Sequence, residues 1–69
     1  MSVFANRLKD CRKKANKTQR DVAIALDMSD GGYQKYELGI REPNHENMIK
    51  IADYFGVSLD YLMGRDVPK

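Results

Sequence analysis

The sequence predicts an all-α domain built from five short helices. Apolar residues recur at helical spacing in several segments, and residue types that cap helix starts stand just before those segments. Glycine or asparagine, which often ends helices, stands just after them. The 69 residues are enough for one domain, which we place at residues 1–65, with a tail at residues 66–69.

The first helix is predicted over residues 2–15. Its apolar residues fall at i, i+4, i+7 and i+11, so that one stripe faces the core: Phe4, Leu8, Cys11 and Ala15. Asn16 follows and tolerates the left-handed conformation in which helices often end. Cys11 is expected to be a small buried hydrophobe, because the sequence suggests no base that would activate a thiol.

A second helix is predicted to begin at Thr18, whose hydroxyl can accept a free backbone N–H. Asp21, three residues later, completes a pattern like a capping box. The next apolar residues share one face: Val22, Ala23 and Leu26. Ala23 is small, which allows a neighbouring helix to pack closely against that face.

Residues 27–29 break this pattern, and Ser29 can cap a third helix that runs to about residue 38. Gly39 stands where a left-handed residue commonly ends a helix. The residues expected to pack beneath the third helix are Met28, Tyr33 and Tyr36. Two short helices joined by a tight break are what a helix-turn-helix motif requires.

The last two helices follow an irregular loop. Asn44 can cap the fourth helix, whose apolar residues again lie on one face: Met48, Ile51, Ala52 and Phe55. Gly56 is expected to stop this helix. Ser58 then caps a fifth helix over Leu59–Met63, which Gly64 ends.

Composition excludes several classes of protein. No apolar run approaches the about 20 residues that a membrane span requires, and the amino terminus leads into a charged helix without a signal peptide. A single cysteine cannot form an internal disulfide and fits a reducing compartment. We therefore expect a cytoplasmic protein without a membrane partner.

The net charge of +2 hides an uneven distribution. Residues 1–20 carry seven Lys or Arg against one Asp, which is +6, whereas residues 21–69 carry five against nine acids, which is −4. A basic first helix on a near-neutral domain favours a polyanionic partner. A solvated helix face rich in lysine is the alternative interpretation.

The sequence offers no catalytic or metal-binding set. The one histidine, His45, and the one cysteine, Cys11, are far apart and too few for a zinc site. The carboxylates are scattered, and Gly31-Gly32 lacks the Lys-Ser that follows in a phosphate-binding loop. We expect no metal, no cofactor, no small-molecule substrate and no enzymatic activity.

Several segments resemble the Cro- and Xre-type repressors of phages and bacteria. They are Thr18-Gln19, Tyr36-Glu37, Arg41-Glu42-Pro43 and residues 51–65, and with the helix-turn-helix pattern they extend the resemblance over residues 4–65. The resemblance implies a lambda-repressor-like DNA-binding domain. Its function would be that of a sequence-specific transcriptional regulator, a repressor that binds double-stranded DNA at a palindromic operator as a homodimer.

By this resemblance the exposed face of the third helix would read bases through Asp30, Gly31, Gln34 and Lys35. Gln34 can pair with adenine, Lys35 can donate to guanine, and Asp30 can accept from cytosine. The residues expected at the DNA backbone, where contacts hold the register without reading sequence, are Thr18, Gln19, Arg12, Arg20, Ser29 and Arg41.

The resemblance also implies a partly buried salt bridge between Arg12 and Glu37. It would tie the first helix to the end of the third and hold the guanidinium near a phosphate, the alternative being two unrelated surface charges. The last helix carries more apolar surface than its own packing needs. We therefore expect the dimer surface at Val57, Leu59, Leu62 and Met63.

Three features depart from the family pattern. Asp27 stands where the turn usually has glycine, Gly31-Gly32 lies inside the third helix, and the Asp30 carboxylate would repel phosphate. The glycine pair allows three interpretations: a helix that orders on DNA, close approach of the backbone to the bases, or a domain that no longer binds DNA tightly. The first two are favoured because Gln34 and Lys35 are in place.

Two other functions stay open, since a fold does not determine a function. The domain could be a protein-interaction module, an antitoxin or anti-regulator, which Asp30 and the glycine pair favour and the basic first helix opposes. It could also be the amino-terminal domain of a longer regulator.

Overall fold

The computed structural model describes residues 3–65, which form five helices and no strand. The helices are α1 (Val3–Lys14), α2 (Gln19–Ala25), α3 (Asp30–Leu38), α4 (His45–Phe55) and α5 (Leu59–Met63). The prediction of an all-α, five-helix domain is confirmed. Ser2 and the predicted tail at residues 66–69 lie outside the described residues. Among the described helices, none is both long and apolar enough to cross a membrane.

Polar side chains determine where four of the helices begin. The predicted caps are all extended in backbone conformation, and each side chain accepts a hydrogen bond from the N–H three residues later: Thr18, Ser29, Asn44 and Ser58. At α2 the capping box is complete, because the Asp21 carboxylate accepts the Thr18 N–H while the Thr18 hydroxyl accepts the Asp21 N–H, both at 3.0 Å. These predictions are confirmed.

Left-handed residues end the helices and turn the chain. Glycine takes this conformation after α3, α4 and α5, at Gly39, Gly56 and Gly64. Asn16 after α1 and Asp27 in the turn between α2 and α3 take it with φ of 60° and 58°. Asp27 therefore adopts the left-handed conformation that glycine usually supplies in this turn.

In the core α1 packs against both α3 and α5, while α2 packs against α3 and α4 against α5. The largest wholly buried side chains come from all five helices: Tyr33, Leu8, Ile51, Leu62 and Val22. Ala23 is also buried, on the face of α2 where its small side chain admits α3. As a result, one side of α3 packs against α1 and α2, and its other side is exposed to solvent.

Two sequence predictions are wrong. Ala15 was predicted to face the core at the end of the apolar stripe of α1. It is exposed, because α1 ends one residue earlier, at Lys14. Leu62 is 0% exposed and belongs to the core, so it cannot lie on a dimer surface. Val57 and Leu59 are half-buried against the same core, and Met63, at 53% exposure, is the most open of the four predicted residues.

Candidate nucleic-acid interface

The exposed face of α3 contains the four residues predicted to read bases. Asp30, Gly31, Gln34 and Lys35 are exposed, whereas Tyr33, Tyr36 and Glu37, on the opposite side of the helix, are buried. The pattern follows from helical periodicity, since residues three and four apart share a face. The structure therefore brings the four residues together on the solvent side of α3.

The helix α3 is regular through its two glycines, which differ in their surroundings. A Cβ at Gly32 would meet the Ser29 Oγ at 2.9 Å, and that hydroxyl caps the helix by accepting the Gly32 N–H. A Cβ at Gly31 would meet nothing within 4 Å. Packing within the described residues therefore explains Gly32 but not Gly31, whose bare backbone faces outward.

Replacing Gly31 by alanine is expected to stabilise the free domain by about 0.5–1 kcal/mol, because glycine inside a helix has more conformational entropy to lose. Thermal unfolding should show a rise in Tm of about 4–8 °C per kcal/mol for a domain of this size. Gly32→Ala is the matched control, in which the new Cβ disturbs the Ser29 cap. A Gly31→Ala protein no more stable than the Gly32→Ala protein would contradict the expectation.

A buried carboxylate joins α1, α2 and α3. The Arg12 guanidinium donates to Glu37 from Nε to Oε2 at 2.6 Å and from Nη2 to Oε1 at 3.1 Å. The Gln19 amide donates to Oε1 at 3.0 Å, and the Tyr33 hydroxyl donates to Oε2 at 2.6 Å. With two hydrogen bonds on each oxygen, the Glu37 carboxylate is fully satisfied although the residue is only 3% exposed.

Burial raises the pKa of the Glu37 carboxyl, but the hydrogen bonds from Arg12, Tyr33 and Gln19 together outweigh it and hold that pKa below its usual value. Burial, followed by the hydrogen bond to Glu37, raises the pKa of the Tyr33 hydroxyl. The hydrogen bond with Glu37 raises the pKa of Arg12. The carboxylate is thus ionised, the phenol neutral and the guanidinium charged at neutral pH.

The pair that the family resemblance implied, Arg12 and Glu37, is in contact in the structure. Sequence reasoning missed the two further donors, because Tyr33 was assigned to packing and Gln19 to the DNA backbone. A signal for Tyr33 was present, since it stands four residues before Glu37 and so shares its side of the helix. None was present for Gln19, whose contact depends on how α2 packs against α3.

The other residues predicted at the DNA backbone lie at the surface. Arg20 and Arg41 are exposed, and the hydroxyls of Thr18 and Ser29 are engaged as caps. Arg12 also donates a third hydrogen bond, from Nη1 to the Lys17 carbonyl at 3.0 Å. This hydrogen bond ties the loop between α1 and α2 to α1. The last three residues of α1 are basic, Arg12, Lys13 and Lys14, so cationic groups shortly precede the helix-turn-helix in the sequence.

Comparison with known proteins places these features in a family. Residues 8–62 match the family described as helix-turn-helix. The chain is similar to the uncharacterized HTH-type transcriptional regulator YqaE of Bacillus subtilis, with 43% identity over 61 residues, which are 88% of this chain and 53% of that protein.

Two further relatives are regulators whose names state a role. The cryptic phage CTXphi transcriptional repressor RstR of Vibrio cholerae is 46% identical over 59 residues, 86% of this chain and 53% of the repressor. The HTH-type transcriptional regulator ImmR of Bacillus subtilis is 37% identical over 63 residues, 91% of this chain and 50% of that protein. The chain thus spans about half the length of these curated relatives.

The family match extends from α1 into α5 and includes the whole helix-turn-helix. The matched relatives are named as transcriptional regulators or repressors. The helix order, the exposed face of α3 and the match over residues 8–62 agree, and the chain belongs to the Cro/Xre-type family of helix-turn-helix transcriptional regulators.

Proposed function

We propose that this domain is a transcriptional repressor that binds a palindromic operator in double-stranded DNA as a homodimer. The observation that carries the proposal is the exposed face of α3, where Gln34 and Lys35 project from a helix that the core and the Glu37 network hold in place. In helix-turn-helix proteins the second helix of the motif lies in the major groove with its first residues at the base edges.

The chemistry of this face suits direct readout. Gln34 has a donor and an acceptor for the N6 and N7 of adenine, and Lys35 can donate to the O6 and N7 of guanine. The carboxylate of Asp30 can accept from the N4 of cytosine. Gly31 brings bare backbone to the same face, which permits α3 to approach the bases closely.

Contacts with phosphates would hold the domain in register. Arg20 and Arg41 are exposed cations on either side of α3 in the sequence, and the hydroxyl of Ser29 stands at its start. Arg12 has donors beyond the three that bind Glu37 and Lys17, because a guanidinium carries five N–H groups. Gln19 and Thr18 would contribute from the start of α2.

A two-fold operator calls for a two-fold protein. With Leu62 in the core, the exposed Met63 is the member of the predicted dimer surface best placed to meet a second copy. It lines a groove together with Val3 and Leu38, two other exposed apolar side chains. Half-buried Val57 and Leu59 would contribute at most the edge of such a contact.

Selection of bound sequences from a random DNA duplex library tests the proposal. We expect an enriched palindrome for the unaltered domain, and a relaxed preference at one base pair of each half-site in Gln34→Ala and Lys35→Ala. Loss of a good base contact should reduce discrimination by about 1–3 kcal/mol at that position. Lys50→Ala, at an exposed lysine on α4, is the matched control and should leave the preference unchanged.

Binding that is sensitive to salt but blind to sequence would contradict the proposal of a specific regulator. The exposed carboxylate of Asp30 at the start of α3 favours one other function, a protein-interaction module in which α3 meets a protein rather than DNA. An absence of DNA binding at low salt, together with capture of a protein that Gln34→Ala and Lys35→Ala release, would support that second function.

A further inference from the structure

A second surface lies at the basic carboxyl-terminal end of α1 and does not include the exposed face of α3. An open groove of about 630 Å³ runs between the end of α1 and the junction of α4 with α5. Its floor is aromatic and aliphatic, formed by Tyr54, Phe55, Val57 and Tyr61. Cys11 and Ala15 line it from the α1 side.

The groove holds apolar surface that the core does not cover. Ala15 continues the apolar stripe of α1 beyond the end of the helix and lies exposed at the edge of the groove. Tyr54 is 39% exposed and packs edge-on against Phe55, with ring centroids 4.9 Å apart. The Arg7 guanidinium lies 4.6 Å from the centre of the Tyr61 ring and donates to the Tyr61 carbonyl, which fixes that side of the groove. The floor is therefore shaped in the absence of any occupant.

The edge of the groove is cationic. Lys14 and Lys17 line it and are exposed, and no acidic residue is among the described residues that line it. Burial raises the pKa of the Cys11 thiol in this groove, with smaller and opposite effects from Lys14, which lowers it, and Asp10, which raises it. An apolar floor with lysines along one edge complements a segment that is apolar on one face and acidic beside it.

A small polar ligand fits this groove poorly, because such sites need convergent polar groups. Every buried side-chain nitrogen and oxygen in the described part of the chain already has a hydrogen-bond partner, so none is held in reserve for a ligand. Open grooves with aromatic floors are typical of helix recognition, in which apolar side chains at i, i+3, i+4 and i+7 fill the groove.

We propose that this groove binds an acidic amphipathic helix of a partner protein, with its apolar face on Tyr54, Phe55 and Val57 and its carboxylates against Lys14 and Lys17. The groove is linked to the helix-turn-helix through Arg12, which donates hydrogen bonds both to the Lys17 carbonyl at the groove and to Glu37 in α3. An acidic segment at Lys17 would compete with phosphates for the same cationic region and lower DNA affinity. This last effect rests on the proposed function, whereas binding in the groove does not.

The probe is a synthetic helix of about 16 residues, long enough to be helical in water when rich in good helix formers, with leucines at i, i+3, i+4 and i+7 and glutamates beside them. The control peptide has lysine in place of every glutamate. We expect the glutamate peptide to shift the backbone amide resonances of isotope-labelled protein in a saturable way. The largest shifts should fall at Cys11, Ala15 and Val57, and the lysine peptide should produce no such shifts.

Two variants test whether the edge of the groove binds the glutamate peptide, and a control variant tests the effect of losing the same charge elsewhere. Lys14→Gln/Lys17→Gln should weaken binding of the glutamate peptide by about five-fold, the result of losing two solvent-exposed ion pairs. Lys13→Gln/Lys50→Gln removes the same charge from exposed lysines outside the groove and should change the affinity by less than about two-fold. Ala15→Glu adds bulk and negative charge at the edge, at an exposed site that leaves the core intact, and should abolish binding.

Equal binding of the two peptides, shifts centred on Val3, Leu38 and Met63, or no shifts at the highest soluble peptide concentration would each overturn the proposal. Adding the glutamate peptide to the protein–DNA complex then measures the effect on DNA affinity. If the domain binds the peptide in the groove but no DNA, the proposed function fails while the groove proposal stands.

Discussion

Replacing Arg12 by methionine is expected to lower the free energy of unfolding by about 3–5 kcal/mol, because it removes one partner of a buried ion pair. Methionine keeps most of the unbranched stem of arginine and removes its charge. The Glu37 carboxylate would then be left in the core with only Gln19 and Tyr33 as donors. A loss of this size is a large part of the about 5–15 kcal/mol that stabilises an ordinary domain. Urea denaturation followed by circular dichroism measures it.

Substitution of the other member of the pair, Glu37→Leu, should lower the free energy of unfolding by less than Arg12→Met does. The Arg12 side chain is 15% exposed against 1% for Glu37, so the guanidinium can turn toward water whereas the carboxylate cannot. The double variant Arg12→Met/Glu37→Leu should recover part of the loss, since an apolar pair replaces an ionic one. The buried Tyr33 hydroxyl, which loses its acceptor, limits that recovery. A single Arg12→Met substitution that costs less than about 1 kcal/mol, as an exposed pair would, contradicts this account.

The Arg12–Glu37 pair should make the free energy of unfolding depend on pH in the acid range. The pKa of Glu37 is lower in the folded protein than its ordinary 4.5, so the stability that the carboxylate contributes is present above that value and is lost as the pH falls through the folded pKa. Arg12→Met removes the lowering by Arg12, so we expect the pKa of Glu37 in the variant to lie above its value in the unaltered protein. The difference in stability between the two proteins should therefore be largest at neutral pH. It should shrink as the pH falls through the pKa of Glu37 in the variant and on to the lower pKa of Glu37 in the unaltered protein.

Helix boundaries could be predicted from the sequence because they depend on neighbouring residues. The hydroxyl of Ser29 reaches the N–H of Gly32 whatever the rest of the fold does, and the left-handed residues Asn16 and Gly39 end their helices through their own backbone preferences. The exposed face of α3 could be predicted for a similar reason. Once a helix and its buried side are identified, periodicity assigns the other side.

The wrong predictions concern contacts between segments far apart in the sequence. Ala15 follows the stripe of α1, but where α1 ends relative to the core depends on α4 and α5. Leu62 looked like surplus apolar surface because nothing in the last helix shows how much of it α1 covers. The Gln19 donor to Glu37 was missed for the same reason, since it comes from α2. Tyr33 is different, because it stands four residues before Glu37 on the same helix and helical periodicity could have indicated its contact.

Leu62 and Met63 are adjacent in the last helix, and truncating each to alanine should separate core from surface. Leu62→Ala should lower the free energy of unfolding by about 2.7–5 kcal/mol, because the side chain is wholly enclosed and leaves a cavity. Met63→Ala, at a side chain that is 53% exposed, should change the stability of the monomer by less than about 0.5 kcal/mol. Urea denaturation at low protein concentration measures both without interference from self-association.

Sedimentation at increasing protein concentration then shows what Met63 does. If Met63 meets a second copy, Met63→Ala should shift the monomer–dimer equilibrium toward monomer while leaving the unfolding of the monomer unchanged. Ile24→Ala, which truncates an exposed apolar side chain on α2 away from the groove of Val3, Leu38 and Met63, is the control for loss of apolar surface as such. Equal, small losses of stability in Leu62→Ala and Met63→Ala would place both residues on the surface and restore Leu62 to a dimer contact.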